Sequence, residues 1–140
     1  MSIAAIIATL AAIDVDGETV YTGGTLPDSL ATADLPARVI DIDKTEALEW
    51  VSLGGVATVN HIINDTYYLA PVAQGSGLDD NRAALIAYTD AYIAAIVANL
   101  RLSGVAEIID IETVPTVLEY AAAGTYYFAV RSLLTVRERF

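Results

Sequence analysis

The sequence contains no cysteine, one lysine, one histidine and one tryptophan, and each scarcity closes off a class of chemistry. Without cysteine there are no disulfides, no thiolate metal sites and no thiol nucleophile. Lys44 is the sole lysine, and 7 basic residues against 18 acidic ones give a formal net charge of −11. Proteins that grip nucleic acid gather Lys and Arg against the phosphates. The nearest approach to such a cluster here is Arg131, Arg137 and Arg139. No apolar run approaches the roughly 20 residues of a membrane-spanning helix. The run from Ile3 to Leu10 is interrupted by Thr9, follows no basic residue and precedes Asp14 and Asp16, which is not the pattern of a secretory signal. Repeats, low-complexity tracts and a Gly/Ser/Pro-rich linker are missing too, so a single domain over residues 1–140 is expected.

Apolar residues, by contrast, make up 55% of the chain and charged ones only 18%. That is drier than an ordinary soluble domain, and the excess is expected in a large core together with buried subunit contacts, whose centres are depleted in charge.

The periodicity reads helix, strands, helix, strands. Ser2 caps a short helix over 2–13 whose Ile3, Ile6, Ile7 and Leu10 share a face. A short extended piece at 15–21 leads to a long exposed loop around 22–37, marked by Gly23, Gly24, Pro27 and Pro36. A strand at 38–43 follows, then an ambiguous segment at 48–53 and a break at Gly54-Gly55. The β pattern over 56–72 puts Val59, His61, Ile63, Tyr67 and Leu69 on one side and Thr58, Asn60, Ile62, Asn64, Thr66 and Tyr68 on the other. After a turn at 74–77, Asp79 or Asp80 caps a helix running to about Leu102. Leu78, Leu85, Tyr88, Tyr92, Ile96 and Leu100 form its apolar stripe, widened by Ile86, Ile93 and Val97. Ser103-Gly104 ends it, with Gly104 placed for a left-handed cap. Two strands, 105–114 and 125–137, close the chain with 115–124 between them. In the last, Tyr126, Phe128, Val130, Leu134 and Val136 oppose Thr125, Tyr127, Arg131, Thr135 and Arg137. Such alternation belongs to an antiparallel sheet covered on one side. The expected fold is α+β: a mixed, mainly antiparallel sheet with a short N-terminal helix and one long helix packed on one face.

No catalytic pattern accompanies these elements. His61 and Asp65 share a strand face but stand too far apart along it to hydrogen bond, and His61 reads as a packed strand histidine rather than a base or metal ligand. No nucleophile-elbow glycines surround a serine such as Ser52. Asp14, Asp16 and Glu18 resemble the start of a calcium loop, but residues 19–26 lack its remaining ligands, so they read as a turn of solvated acids. Glu107, Asp110 and Glu112 read as a wet sheet face rather than glycosidase carboxylates, and no glycine loop is followed by the Lys-Ser/Thr of a phosphate-binding loop. No catalytic residue, cofactor or metal is expected.

In order along the chain come Leu35-Pro36-Ala37-Arg38-Val39, Asn60-His61-Ile62-Ile63, a proline-terminated strand, Tyr88-Thr89-Asp90-Ala91-Tyr92 within a long helix, and Gly124-Thr125-Tyr126-Tyr127-Phe128-Ala129-Val130-Arg131. This succession, spread over most of the chain, resembles the tail-terminator and tail-completion proteins of long-tailed bacteriophages. The resemblance implies a helix pair on a mixed sheet and a hexameric ring at the head-proximal end of the tail tube. Such a ring stops tube polymerisation and offers a docking face to the neck. The implied partners are further copies of the chain, the tail tube protein and a neck or head–tail connector protein. DNA passes through without specific binding, no membrane is involved, and the location is the virion after assembly in the host cytoplasm. Candidate contact residues are Tyr67, Tyr68, Ala87, Ala91, Ala94, Tyr126, Tyr127 and Arg131, the plain alternative for the helix and the tyrosines being the core. Two other readings stay open: a different neck or connector ring subunit, and a small hydrolase or ligand-binding domain using His61.

Overall fold

A computed structural model of the chain describes residues 1–23, 26–30, 32–50, 57–72, 78–121 and 124–139. The expected break at Gly54-Gly55, Ser52 and the turn at 74–77 lie outside the described residues. The fold is α+β, with two α-helices and a five-stranded mixed sheet. In chain order the elements are α1 (Ile3–Ala11), β1 (Thr19–Thr22), a 3-10 turn (Thr32–Asp34), β2 (Ala37–Trp50), β3 (Ala57–Pro71), α2 (Leu78–Val97), β4 (Ala106–Glu119) and β5 (Tyr126–Arg139). Across the sheet the order is β1-β2-β3-β5-β4, with β1 parallel to β2 and every other neighbour antiparallel.

Both helices contribute to one cluster on one face of this sheet. Ile6, Ile7 and Leu10 of α1 and Leu85, Tyr88, Tyr92 and Ile96 of α2 meet Ile40, Ile63, Tyr67, Phe128, Val130, Leu134 and Val136. The strand residues alternate, as a pleated sheet with one dry face requires. Ser2 does cap α1, its Oγ accepting from the Ala5 N–H at 3.1 Å. Two bulges preserve the pattern where strict alternation would break it. The shift between Ile42 and Lys44 leaves Thr45 facing His61 on the helix side. The shift between Ile108 and Asp110 brings Glu107, Asp110 and Glu112 together on the opposite face.

Several expectations need correction. The second helix ends at Val97, not near Leu102. Asn99 Nδ2 donates to the Ala95 carbonyl at 2.8 Å, and the chain then turns back to pair with β4, Leu102 N donating to Ala106 O and Ile108 N to Leu100 O. The helix begins at Leu78, so Asp79 and Asp80 stand inside its first turn rather than before it. Gly104 is not left-handed; among the described glycines Gly17 and Gly124 are. β4 continues through Pro115 to Glu119 instead of stopping at Val114, because it is an outermost strand, where a missing N–H costs little. The first strand is confined to Thr19–Thr22, and β2 runs past 43 into the ambiguous segment as far as Trp50.

Within the loop around 22–37, the described residues Pro27, Leu30 and Leu35 lie against the second face of the sheet, where Leu30 joins Ala37, Val39, Tyr68, Tyr120, Tyr127 and Ala129 in a smaller buried cluster. The Tyr120 hydroxyl donates to Pro27 O at 2.5 Å and the Tyr127 hydroxyl to Leu30 O at 3.2 Å. Asp28, Ser29 and Asp34 remain exposed.

Candidate functional site

The charged groups that this fold buries are engaged with one another. Arg38, on the helix-facing side of β2, is fully buried. Its Nε donates to both Asp65 oxygens at 2.9 and 3.1 Å, its Nη2 to Asp65 Oδ2 at 2.7 Å and to Leu10 O in the last turn of α1, and its Nη1 to Ile13 O just beyond the end of that helix. The guanidinium thus ties β2 and β3 together and serves as a cationic cap at the negative end of the helix. The Tyr92 hydroxyl donates to the same carboxylate at 2.8 Å, which brings in α2, and Glu18 Oε1 stands 3.9 Å from Arg38. Burial alone would lower the Arg38 pKa, but the hydrogen bonds and charge of Asp65 prevail and raise it. The Tyr92 phenol is raised by burial and then by Asp65. These carboxylates answer a buried cation and bind α1 and α2 to the sheet.

His61 and Asp65 share a face, as the spacing predicts, and have different partners. His61 Nδ1 lies 2.9 Å from Thr45 Oγ1, while its Nε2 lies 3.9 Å from Glu138 Oε1. Both His61 and Glu138 are buried, and the second Glu138 oxygen is 3.4 Å from the α-amino group of Met1. His61 is thus packed in the strand, as expected, with polar groups facing both ring nitrogens. The turn at 14–18 is also only partly as expected. Asp14 Oδ1 accepts from Gly17 N and Glu18 Oε2 from Asp16 N, but the Glu18 side chain is turned inward toward Arg38. Among the described residues, no group of three or more His, Cys, Asp or Glu could hold a metal ion, and no helix is long and apolar enough to cross a membrane.

The eight candidate contact residues separate into two groups. Tyr67, Tyr68 and Tyr127 are buried inside the subunit and are not available at its surface. Tyr67 stacks on Tyr88 with ring centroids 3.6 Å apart, and Tyr68 meets Tyr120 and Tyr127 edge-on in the second cluster. Ala87, Ala91, Ala94, Tyr126 and Arg131 are exposed. The structure does not bring them to one place. The three alanines are on α2, whereas Arg131 lies on the far face of the sheet, beside Glu112, Val114 and Leu133 in a shallow trough of about 290 Å³.

The surface feature that the sequence reading missed is aliphatic. Ile86, Ile93 and Val97 do not widen the buried stripe of α2; they are 50%, 38% and 56% exposed. On β4 and the turn leading into it, Leu100, Val105, Ile109, Val114 and Val117 are exposed as well. Hydrophobicity alone could not distinguish a broad buried stripe from a narrow one with an apolar flank, because both give the same residue pattern. On the opposite face, Arg137 lies in register with Glu107, and Arg139 Nη2 is 3.3 Å from a Glu107 oxygen. That face therefore interleaves acids and arginines and is not a basic surface.

Comparison with protein-family models and with curated proteins finds no match to this chain.

Proposed function

We propose that this chain is a structural subunit that acts by self-assembly, closing with further copies into a ring at the head-proximal end of a bacteriophage tail tube. In this reading it catalyses nothing and carries no cofactor. Its work is to stop tube polymerisation and to present a docking face to a neck or connector protein while DNA passes through without specific binding. The observation that carries the assembly part is the number of exposed aliphatic side chains on α2 and β4, Ile86, Ile93, Val97, Ile109, Val114 and Val117, on a chain that is only 18% charged. Extended apolar surface on a small domain marks a place that another molecule covers. The position in a tail rests on the sequence resemblance, and the pair of helices on one face of a mixed sheet is the architecture which that resemblance implies.

Sedimentation or mass photometry tests the assembly. A closed oligomer is expected, and a protein that stays monomeric at its highest soluble concentration refutes it. Electron microscopy of particles carrying the labelled subunit tests the location. Label at the junction of tail and head is expected, and label at the distal tail tip or on the capsid shell refutes both the terminator and the connector reading.

A further inference from the structure

The chain contains one Asp-Gly step, Asp16-Gly17, and no Asn-Gly step. Aspartate followed by glycine is the pair at which a backbone most readily attacks its own side chain, because glycine has no Cβ to crowd the approach of its nitrogen. The step lies in the turn between α1 and β1. Both residues are exposed, and Gly17 is left-handed at φ +67°. Among the described residues, nothing lies within 4 Å of where a Gly17 Cβ would stand, so no other element shields the step from water. The peptide planes on either side of Asp16 are each held by a carboxylate. Gly17 N donates to Asp14 Oδ1 at 2.9 Å, and Asp16 N donates to Glu18 Oε2 at 2.8 Å. With both planes held, the two Asp16 backbone torsions are held as well. Glu18 also leads inward: its side chain is only 1% exposed, and its other oxygen stands 3.9 Å from Arg38 Nη1. One glutamate therefore joins this surface step to the buried Arg38–Asp65 pair.

We infer that Asp16-Gly17 is a site of isoaspartate formation, held back by Asp14 and Glu18, and that its conversion pulls Glu18 away from Arg38. The inference does not depend on the ring reading. In the first step the Gly17 nitrogen bonds to Asp16 Cγ, the N–H proton and the carboxyl hydroxyl leave together as water, and a succinimide ring results. Water then adds to the ring. Breaking the bond from nitrogen to Cγ restores aspartate, whereas breaking the bond from nitrogen to the Asp16 main-chain carbonyl carbon leaves isoaspartate. The water lost is regained, so the change is an isomerisation and needs no co-reactant. Ring closure requires freedom about the Asp16 torsions and a Gly17 N–H free to lose its proton, and the hydrogen bonds to Asp14 and Glu18 restrain both. Each hydrogen bond to a charged group restrains the step about tenfold. The isoaspartyl main chain runs through Cβ and is longer by a methylene, which displaces Gly17 and Glu18 relative to α1 and so draws the Glu18 carboxylate off the guanidinium.

The test incubates wild type and Asp14→Ala at neutral pH and physiological temperature, folded and in urea, and measures isoaspartate by peptide mapping and mass spectrometry. Circular dichroism confirms that the variant is folded; Asp14 is exposed. Product is expected at Asp16. Folded wild type should convert about tenfold more slowly than wild type in urea, and folded Asp14→Ala about tenfold faster than folded wild type. Product confined to another aspartate, such as Asp28, refutes the site. Equal rates for folded and urea-unfolded wild type refute the restraint, as does an Asp14→Ala rate equal to or below that of folded wild type. The link to the core is read from the isoaspartyl form, separated by ion exchange. Its Tm is expected below that of the unmodified protein, with the fall smaller in a Glu18→Ala background, where no carboxylate is left to displace. An unchanged Tm, or a fall of the same size in Glu18→Ala, refutes that link.

Discussion

Replacing Arg38 with Met removes the only buried guanidinium among the described residues while keeping much of its bulk. Two carboxylates, Asp65 and Glu18, then remain in the core without their cation, and Leu10 O and Ile13 O lose their donors. Breaking a buried pair from one side costs about 3–5 kcal/mol, so Arg38→Met is expected near the upper end. For a domain whose total stability is about 5–15 kcal/mol, that is a third or more, and it corresponds to a fall of about 15 °C in Tm at roughly 3 °C per kcal/mol. Asp65→Leu should cost somewhat less, because Glu18 still faces the guanidinium. The informative variant is the double one. Arg38→Met/Asp65→Leu replaces both charges with apolar side chains and should recover about 3 kcal/mol relative to the sum of the single changes. Urea unfolding followed by circular dichroism measures all three. Single variants that each cost under about 1 kcal/mol, or costs that simply add, would refute the view that this pair ties α1 and α2 to the sheet.

Two further expectations concern the tyrosines around the same network. Tyr92→Phe removes a hydrogen bond to a buried carboxylate and should cost about 2 kcal/mol, whereas Tyr88→Phe should be neutral or stabilising, because the buried Tyr88 hydroxyl has no partner. Equal losses for the two in urea unfolding would contradict this. Alkaline pH provides the other test. The Tyr67 phenol is pushed up to about 12, first by burial and then by Asp16 and Glu18, and Tyr88 and Tyr92 are raised further, again mainly by burial. A raised phenol pKa means that the unfolded chain gives up its proton first. The stability contribution is therefore full below the unfolded value of about 10 and is lost as pH climbs through the folded values. Absorbance at the phenolate band should rise for the buried set only as circular dichroism is lost; complete phenol ionisation with the secondary structure intact would show that these rings are not buried.

How much of this could be read from the sequence differs from element to element. The N-terminal helix was legible because its cap and its apolar positions are neighbours in the chain, and β3 and β5 because strand alternation needs only adjacent residues. The same local patterns could not reveal that 100–102 leaves the helix to pair with β4. The two outcomes depend on which partner the backbone finds, and that partner is several residues away. Pro115 looked like a terminator because nothing local shows that β4 is an edge strand. The bulge that gathers Glu107, Asp110 and Glu112 on one face likewise follows from pairing with β5.

For the candidate surfaces the division is sharper. Composition determined that this is a chain with more apolar side chains than its core needs to be described as ordinary, few cations and no thiol chemistry, since those properties are sums over residues and do not depend on arrangement. Tertiary structure alone decided which residues are inside. It turned Tyr67, Tyr68 and Tyr127 into core, buried Arg38 against a carboxylate 27 positions away, and left Ile86, Ile93 and Val97 on the surface. Burial depends on what packs against a side chain, and that is set by distant parts of the chain brought together by the sheet order.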